Sequence, residues 1–504
     1  GLAGLSAALQ AAENGCNVKL VSSFPSERAQ SVMAEGGINA ALNTKDENDS
    51  PEEHFTDTIK AACGLADPNA VWGMTQAAPE LVHWLLKLGV KFNMSGYDDV
   101  DLRNFGGQKK KRTAFAQSDT GKQIMTAMID AVRRKEASGM VERFSHHSFL
   151  TLRLCGNICC GCVIRDEYSQ ETVELPGDAV IVATGGMHGL FGNTTGSLSN
   201  TGEVTAELFR LGVPLANGEM IQYHPTTVKC GGKRMLISEA ARGEGGRLFA
   251  MKDGKQWYFM EEKYPELGNL MPRDITAREI WKVSHESEVF LDMTEISEEI
   301  ISNKLSGLAD DCMTYLHKDI RKEPVSVLPG IHYFMGGILV DEQHRTPIQN
   351  LCAAGECCAQ YHGANRLGGN SLLGALYGGR VAAKSACEQA DVVDLSCATQ
   401  IDFPPASQIS EIKQLNKVMQ ETMGVVRNEN TLLNGIQTVQ ALTGNLPLLG
   451  MAVLKSALAR KESRGAHWRE DYPKSNDDDY LKTTVARFDG KQIQISFVPV
   501  PERR

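Results

Sequence analysis

The stretch that most constrains the fold of this chain runs from Leu351 to Arg380, LCAAGECCAQYHGANRLGGNSLLGALYGGR. Its apolar opening ends at Gly355, which predicts a buried strand running into a turn, and Asn370 followed by Ser-Leu-Leu predicts a capped helix start. A strand–loop–helix unit presents unpaired backbone N–H groups and the positive end of a helix dipole, so it suits an anionic group. Arg366 lies in the glycine-rich loop between them, where its planar donor fork can grip a carboxylate.

Length and charge narrow the class of protein. A chain of 504 residues with 48 glycines and modest charge is typical of an α/β enzyme with about two to four domains. The net charge of −10 argues against nucleic-acid binding as the main task. We recognise no apolar run of the length that spans a bilayer and no signal peptide.

The cysteines form no secretory framework. There are 13 of them, an odd and scattered set, which fits a reducing compartment. Cys159 and Cys162 form one C-x-x-C, but no second pair follows at zinc spacing, and no C-x-x-C-H for haem occurs. We interpret the cluster as ordinary strand cysteines in a hairpin that turns at Gly156-Asn157, and we predict no metal site.

The N-terminus carries the second half of a dinucleotide-binding fingerprint. Gly1 and Gly4 precede a predicted helix, and residues 17–21 (NVKLV) predict the next strand. The first glycine of a full G-x-G-x-x-G and its strand would come before Gly1. Ser22 and Ser23 follow the second strand, where nicotinamide enzymes carry an acidic residue for the ribose, so the pattern favours FAD over a nicotinamide cofactor.

Polar residues concentrate in residues 219–247, EMIQYHPTTVKCGGKRMLISEAARGEGGR. A single histidine is usually structural, and a charged run usually lies on a solvated face. A His-Pro followed by S-E-x-x-R-G-E-G-G is much harder to explain in that way. Further along the chain come Pro272-Arg273-Asp274 and the run HYFMGG that starts at His332.

These motifs occur in one order along the whole chain: G-G-I-N, A-T-G-G, H-P-T, R-G-E-G-G, P-R-D, H-Y-x-M-G-G, H-G-A-N-R-L-G and S-R-G-A-H. The combination resembles the succinate dehydrogenase/fumarate reductase flavoprotein family. The resemblance implies an α/β fold: a Rossmann-like FAD-binding domain with an inserted α+β capping domain and a C-terminal helical domain. We place the FAD-binding domain at residues 1–218 and 333–400, the cap at 219–332, and the helical domain at 401–504, after a linker around Pro404-Pro405.

The resemblance also implies roles for individual residues. Arg273 would supply a proton to fumarate, with Glu239 and Arg242 as its relay; the alternative for Arg273 is a purely electrostatic role. The substrate-binding residues would be His224, Ser238, His332, Arg366 and Gly37. The FAD-binding residues would be Gly1, Gly4, Ser22, Gly36, Gly37, Ala183, Thr184, Gly185, Glu203, Glu356, Arg366, Ser371 and Leu372.

The chain departs from the family pattern at several positions. Gln30 stands where the family has the histidine that carries FAD covalently, so we predict non-covalent FAD. An 8α-histidyl link generally raises the flavin potential in such enzymes, so its absence favours fumarate reduction over succinate oxidation. Milder departures are Met33, Glu35, Glu203 and Ser238, the last of which keeps the hydroxyl of the usual threonine.

Other functions remain open. L-aspartate oxidase shares nearly every motif, but it usually shows E-G-G where this chain has Phe105-Gly106-Gly107, which favours a dicarboxylate without an amine. Another 2-enoate reductase would use the same proton relay on a different acid. A flavin module that only transfers electrons would be expected to have lost part of the polar constellation.

The resemblance implies partners as well. Two-electron flavin chemistry needs an outlet for single electrons, and we recognise no haem or cluster motif in the chain. We therefore expect a separate iron–sulfur subunit, with a membrane anchor or other electron-transfer subunits and no nucleic acid. The expected location is cytoplasmic, peripheral on the inner face of the cell membrane through those subunits.

Overall fold

A computed structural model describes residues 1–96, 98–389, 403 and 408–504. The linker predicted around Pro404-Pro405 lies outside the described residues. The helices are α1 (Leu2–Glu13), α2 (Pro51–Ala61), α3 (Pro68–Lys87), α4 (Thr120–Ala137), α5 (Glu203–Arg210), α6 (Glu239–Gly243), α7 (Phe259–Lys263), α8 (Arg273–Val283), α9 (Glu298–Lys304), α10 (Ser306–Asp311), α11 (Asn370–Gln389), α12 (Ile409–Thr422), α13 (Glu429–Val439), α14 (Asn445–Ala459) and α15 (Asp477–Tyr480).

The strands are short and belong to several sheets. They are β1 (Val18–Ser22), β2 (Ile38–Asn39), β3 (Leu102–Arg103), β4 (Thr113–Ala114), β5 (Val141–Ser145), β6 (His147–Cys155), β7 (Ile158–Asp166), β8 (Thr172–Pro176), β9 (Val180–Val182), β10 (Leu215–Ala216), β11 (Ile221–Cys230), β12 (Lys233–Leu236), β13 (Arg247–Lys252), β14 (Lys255–Trp257), β15 (Val289–Asp292), β16 (Val325–Ser326), β17 (Leu328–Phe334), β18 (Gly337–Leu339), β19 (Leu351–Ala353), β20 (Cys358–Ala359), β21 (Lys482–Phe488) and β22 (Ile493–Pro499).

The nucleotide-binding half, which is the predicted FAD-binding domain at residues 1–218 and 333–400, is built around two buried helices, α1 and α11. α1 is apolar on nearly every side, which is typical of a buried helix, and it packs along α11. A Cβ at Gly379 would lie 2.4 Å from the Ala3 carbonyl oxygen, so glycine there lets the helices touch. β1 pairs in parallel with β5, and β9 pairs in parallel with β19. Parallel strands with adjacent helices confirm the α/β, Rossmann-like class.

Two antiparallel sheets form the part of the chain predicted to be the cap. β12, β11 and β17 make one sheet, and β14, β13, β15 and β16 make the other. Apolar side chains of both sheets share a core with those of α6, α7 and α8. The two helices that carry the predicted catalytic residues, α6 and α8, are thus seated on one continuous core.

The C-terminal part is helical over α12, α13 and α14, which share an apolar core. It also contains a hairpin that the sequence reading did not anticipate: β21 and β22 extend a sheet with β10, β18 and β20. The signal was present as alternating residues on both sides of Asp489-Gly490, a turn dipeptide.

The cysteine cluster lies in the predicted hairpin. β6 and β7 are antiparallel, and Cys155 lies opposite Ile158 across a two-residue turn. Cys159, Cys160 and Cys162 are free strand residues of β7. Among the described residues, no group of three His, Cys, Asp or Glu side chains is placed to hold a metal ion.

Candidate active site

The short helix α6 presents Glu239 and Arg242 on one face, because residues three apart on a helix are neighbours. Ser238 caps this helix, with its Oγ accepting from the Ala240 N–H at 3.4 Å. Arg242 Nη2 donates to Glu239 Oε1 at 3.3 Å, and its Nη1 donates to the Asn269 carbonyl at 2.6 Å. Both charged residues are only 2% exposed. The predicted relay pair is therefore buried and in contact.

Arg273 begins α8 and completes the chain of charges. Its Nε and Nη2 donate to Glu239 Oε2 at 2.9 and 2.5 Å, and its Nη1 donates to Gln222 Oε1 at 3.1 Å. Gln222 in turn donates to the Arg366 carbonyl at 2.8 Å. Sequence reasoning missed Gln222. Its signal was its place two residues before His224 on the same strand, which puts both side chains on one face.

The charges of Arg242, Glu239 and Arg273 stabilise one another. Burial raises the pKa of Glu239, but Arg273 and Arg242 outweigh burial and hold the pKa below its ordinary value. Burial also lowers the pKa of the Arg242 guanidinium, and Glu239 offsets part of that shift. Glu239 is therefore an ionised carboxylate between two guanidinium groups, which suits proton exchange along the chain.

His224 and His332 lie on the antiparallel neighbours β11 and β17, with ring centroids 5.1 Å apart. His332 Nδ1 is 2.8 Å from the Thr195 hydroxyl, and His224 Nδ1 is 3.1 Å from the Thr226 carbonyl. Burial, followed by the charge of Arg273, lowers the pKa of both histidines well below the ordinary value. Each is a neutral imidazole whose Nδ1 contacts a protein oxygen. The Nε2 of each ring therefore remains able to hydrogen-bond a ligand.

Arg366 is 3% exposed and lies over the ring of Tyr333 at 4.2 Å from its centroid. Burial, and next the nearby Arg273, lower the pKa of Arg366 to about 9. The guanidinium still carries its charge at neutral pH, and its Nε has no hydrogen-bond partner. A buried cation with an unpaired donor is a binding point for an anion.

Glu35, which the sequence marks only as a departure, lies beside the predicted substrate residue Ser238. Burial, and next the charge of Asp311, raise the pKa of Glu35 to about 8, and the Ser238 side chain offsets part of that rise. At neutral pH this carboxyl is therefore protonated. Its role could not be read from the sequence, because residues 35 and 238 meet only in the folded chain.

Backbone and an aromatic ring enclose the Glu239 carboxylate. The Gly106 N–H donates to Glu239 Oε1 at 3.2 Å. A Cβ at Gly106 would lie 2.7 Å from Oε1, and one at Gly368 would lie 2.8 Å from Oε2, so glycine is needed at both positions. The buried ring of Phe105 lies beside Gly36 and Gly368 and makes an apolar wall there.

A buried polar network holds the start of α11. Asn370 Oδ1 accepts from Asn39 Nδ2 at 2.7 Å and contacts His54 Nε2 at 2.9 Å, and Asn370 Nδ2 donates to Thr58 Oγ1 at 3.0 Å. No sequence signal marks His54 or Thr58, because they approach Asn370 from a helix more than 300 residues away. This network fixes the helix end whose free N–H groups face the predicted cofactor.

The predicted FAD-binding residues lie at element ends of the nucleotide-binding half. Gly1 and Gly4 open α1, Ser22 ends β1, Gly36 and Gly37 precede β2, Ala183, Thr184 and Gly185 follow β9, Glu203 begins α5, Glu356 follows β19, and Ser371 and Leu372 lie in the first turn of α11.

Several observations fit FAD at these positions. The Ser22 hydroxyl, Arg366 Nε and His188 Nε2 are buried without a hydrogen-bond partner. A Cβ at Gly37 would lie 2.5 Å from the Ala114 carbonyl oxygen, and its φ of +135° also requires glycine. A Cβ at Gly186 would lie 2.6 Å from Glu356 Oε1. The glycines let these segments pack closely against neighbouring protein, and the two helix N-termini with the orphaned donors suit a large anionic dinucleotide.

Family models match most of the chain. The model described as FAD binding domain matches residues 1–372, and the one described as Fumarate reductase flavoprotein C-term matches residues 442–503. The succinate dehydrogenase flavoprotein subunit of Bacillus subtilis is 38% identical, over 100% of this chain and 97% of its own length. The 8-methylmenaquinol:fumarate reductase flavoprotein subunit of Wolinella succinogenes is 32% identical, over 100% of this chain and 91% of its own.

Solved structures agree with these relatives. A mutant of the E. coli quinol fumarate reductase chain FrdA superposes with a TM-score of 0.90 at 27% identity, covering 99% of this chain and 95% of that one. Mycobacterium smegmatis Sdh1 in complex with UQ1 gives a TM-score of 0.83 at 29% identity, covering 100% and 93%.

Proposed function

This chain belongs to the succinate dehydrogenase/fumarate reductase flavoprotein family and is an FAD-dependent oxidoreductase, and we propose that it interconverts fumarate and succinate, with fumarate reduction favoured. The observation that carries the proposal is the buried Arg242–Glu239–Arg273 chain, which Gln222 links to the backbone of Arg366. Buried charge costs free energy unless it is paired and has a use, and perturbed ionisable groups concentrate at active sites.

The substrate's two carboxylates have separate partners in this proposal. His332 and Arg366 hold one carboxylate, and His224 and Ser238 hold the other. The neutral histidines donate hydrogen bonds without adding charge, while Arg366 and Arg273 supply the positive charge that a dianion needs. Water is excluded from most of these groups, which strengthens each contact.

When bound, FAD supplies the hydride chemistry at one substrate carbon. The other carbon needs a proton, and Arg273 is placed to hold it. An arginine gives up a proton only if another group returns one at once. Glu239 is that group, since its Oε2 lies 2.5 Å from Arg273 Nη2. Arg242, which donates to Glu239 Oε1, would in turn pass a proton to Glu239. The relay therefore runs Arg242, Glu239, Arg273.

The wall beside Glu239 favours a substrate without an amine. The ammonium of aspartate calls for a nearby carboxylate that is free to pair with it. Glu239 is already paired with Arg242 and Arg273, and the wall beside it is the apolar ring of Phe105. Glu35 offers no counter-ion either, since its raised pKa of about 8 leaves it protonated at neutral pH. Phe105 and Glu35 therefore argue against an aspartate oxidase.

The preferred direction follows from Gln30. This residue begins a short 3₁₀ helix, Gln30–Met33, and a carboxamide is a poor nucleophile toward the flavin ring. FAD held without a covalent link would have a lower potential than a histidyl flavin, which makes it the stronger donor. Fumarate reduction is then the easier direction.

The partners belong to the same proposal. The relatives named above are flavoprotein subunits, and a separate iron–sulfur subunit would carry single electrons to or from this one. No helix in the described residues is long and apolar enough to cross a membrane. The proposal places the complex at the inner face of the cell membrane, attached through other subunits.

Two assays on the FAD-loaded chain test the proposed substrate. The first follows oxidation of a reduced dye on addition of fumarate, and the second follows peroxide formation on addition of aspartate. We expect dye oxidation with fumarate and no peroxide above background with aspartate. Peroxide formation from aspartate without fumarate-dependent dye oxidation would overturn the proposal.

A further inference from the structure

Helix α8 connects the predicted proton donor to a surface contact. Arg273 lies at its buried N-terminus. Asp274, Arg278 and Lys282 follow at intervals of four residues and so share one stripe of the helix. The Arg278 guanidinium lies over the Trp468 indole at 4.0 Å from the ring centroid, and Lys282 Nζ lies at 6.0 Å from it. Both distances fall within the range of cation–π attraction.

Trp468 stands on a firmly held backbone. Its neighbours His467 and Arg469 are fully buried, and its own carbonyl accepts from the Arg427 N–H at 2.9 Å. Two residues earlier, the Ala466 N–H donates to the Ala364 carbonyl at 2.9 Å. The segment 464–468 therefore touches the loop that carries Arg366 on one side and the helix that carries Arg273 on the other.

Those two arginines repel each other. Each is buried, and the positive charge of Arg273 is one of the causes that lower the pKa of Arg366. Without a dianion between them, like charges in a poorly solvated site push apart the helix and the loop that carry them. Inside the site, Glu239 offsets part of this repulsion and Gln222 links Arg273 to the Arg366 carbonyl. A contact outside the site that opposes the separation adds to them in forming the site before the ligand arrives.

We propose that Trp468 is a positioning residue, and that its contact with Arg278 keeps α8 at the spacing from the Ala364–Arg366 loop at which Arg273 and Arg366 receive a dicarboxylate together. The identity of the ligand rests on the function proposed above. The contact itself lies outside the site and touches none of the reacting groups. Without this contact, part of the ligand's binding energy is used to hold α8 and the Ala364–Arg366 loop at this spacing.

The test compares Arg278→Met and Trp468→Leu with Trp468→Phe, which keeps an aromatic face. The control is Arg503→Met, which removes an arginine–tryptophan contact of similar distance, 3.9 Å to Trp72, that joins the C-terminal tail to α3. The FAD-loaded proteins are titrated with malonate, a dicarboxylate that cannot undergo the reaction. Hydrogen exchange of the α8 amides is measured with and without malonate.

We expect malonate affinity to fall about tenfold in Arg278→Met and Trp468→Leu, and kcat/KM for fumarate to fall with it, mostly through KM. Exchange in α8 should be faster without malonate and return to the parent rate at saturation. Trp468→Phe should retain most of the affinity, and Arg503→Met should match the parent. A variant that combines Arg278→Met with Trp468→Leu should bind malonate no more weakly than the weaker of the two single variants.

Unchanged α8 exchange in Arg278→Met overturns the proposal, even if Trp468→Leu fails to fold. Faster exchange with unchanged malonate affinity overturns it too, because the contact would then serve packing alone. A parent protein that binds no malonate and reduces no fumarate would refute the proposed function, while ligand-free exchange in α8 would still decide whether the contact restrains the helix.

Discussion

At the scale of single residues, Arg273 has the most demanding of the roles that we propose. Its three hydrogen bonds to Glu239 and Gln222 use the fork of a guanidinium, which a lysine cannot reproduce. We predict that Arg273→Lys lowers kcat for fumarate about 10²- to 10⁴-fold, while FAD content and malonate affinity change little. Steady-state kinetics and a malonate titration check this.

Arg247→Lys is a matched control for that variant. Arg247 also makes a forked contact with a glutamate, Glu261, but both of these side chains are exposed. Its kinetics should equal those of the parent. If Arg273→Lys keeps kcat within a few-fold of the parent, Arg273 is not the proton donor.

Glu35 ties stability to pH. Its pKa is raised by burial to about 8 in the folded chain, so between about pH 4.5 and pH 8 the folded state binds a proton that the unfolded state has lost. The free energy of unfolding therefore falls as pH rises through this window. We predict that Glu35→Gln, which cannot ionise, raises Tm more at pH 8 than at pH 5. Parallel curves of Tm against pH for parent and variant would contradict the shift.

At the scale of elements, the 3₁₀ helix Gln30–Met33 decides how the flavin is held. Gln30 offers no nucleophile for a covalent link, so we expect FAD to depend on hydrogen bonds, the N-termini of α1 and α11, and packing. We predict that acid denaturation followed by centrifugation leaves yellow flavin in the supernatant. Flavin fluorescence that migrates with the polypeptide on a denaturing gel would disprove this.

The end of α14 carries a second buried charge network, which the sequence analysis did not predict. Arg460 is fully buried and donates to Glu219 at 2.7 Å and to Glu462 at 2.8 Å. Removing one member of such a network leaves an uncompensated buried charge. We predict that Arg460→Met lowers the free energy of unfolding by about 3–5 kcal/mol, visible as a large drop in Tm.

Arg133→Met is the comparison for that network. Arg133 pairs with Glu27, and both side chains are about half exposed. Solvent screens such a pair, so its loss should leave Tm almost unchanged. If both substitutions lowered Tm equally, burial would not determine how much stability is lost with an ion pair.

At the scale of the whole molecule, the chain has a site for two-electron chemistry and needs a route for single electrons. We predict that the protein purified from its source under mild conditions brings an iron–sulfur subunit with it, detectable by metal analysis and electron paramagnetic resonance. A single metal-free chain that turns over at the full rate with a physiological quinone would contradict this.

The sequence by itself determined the local chemistry. The strand–loop–helix around Arg366, the i,i+3 pair Glu239 and Arg242 and the half fingerprint at Gly1 depend on short spacings, and short spacings set local geometry. Motif order along the chain then determined the family, the α/β class and the cofactor, which the comparisons confirm.

Only the tertiary structure decided which distant residues meet and what charge they carry. Gln222 joins Arg273 to the Arg366 loop, and Glu35 reaches Ser238, across separations that no spacing rule covers. The neutrality of His224 and His332 follows from burial beside Arg273. Ionisation depends on desolvation and on neighbouring charges, and both exist only once remote parts of the chain have packed together.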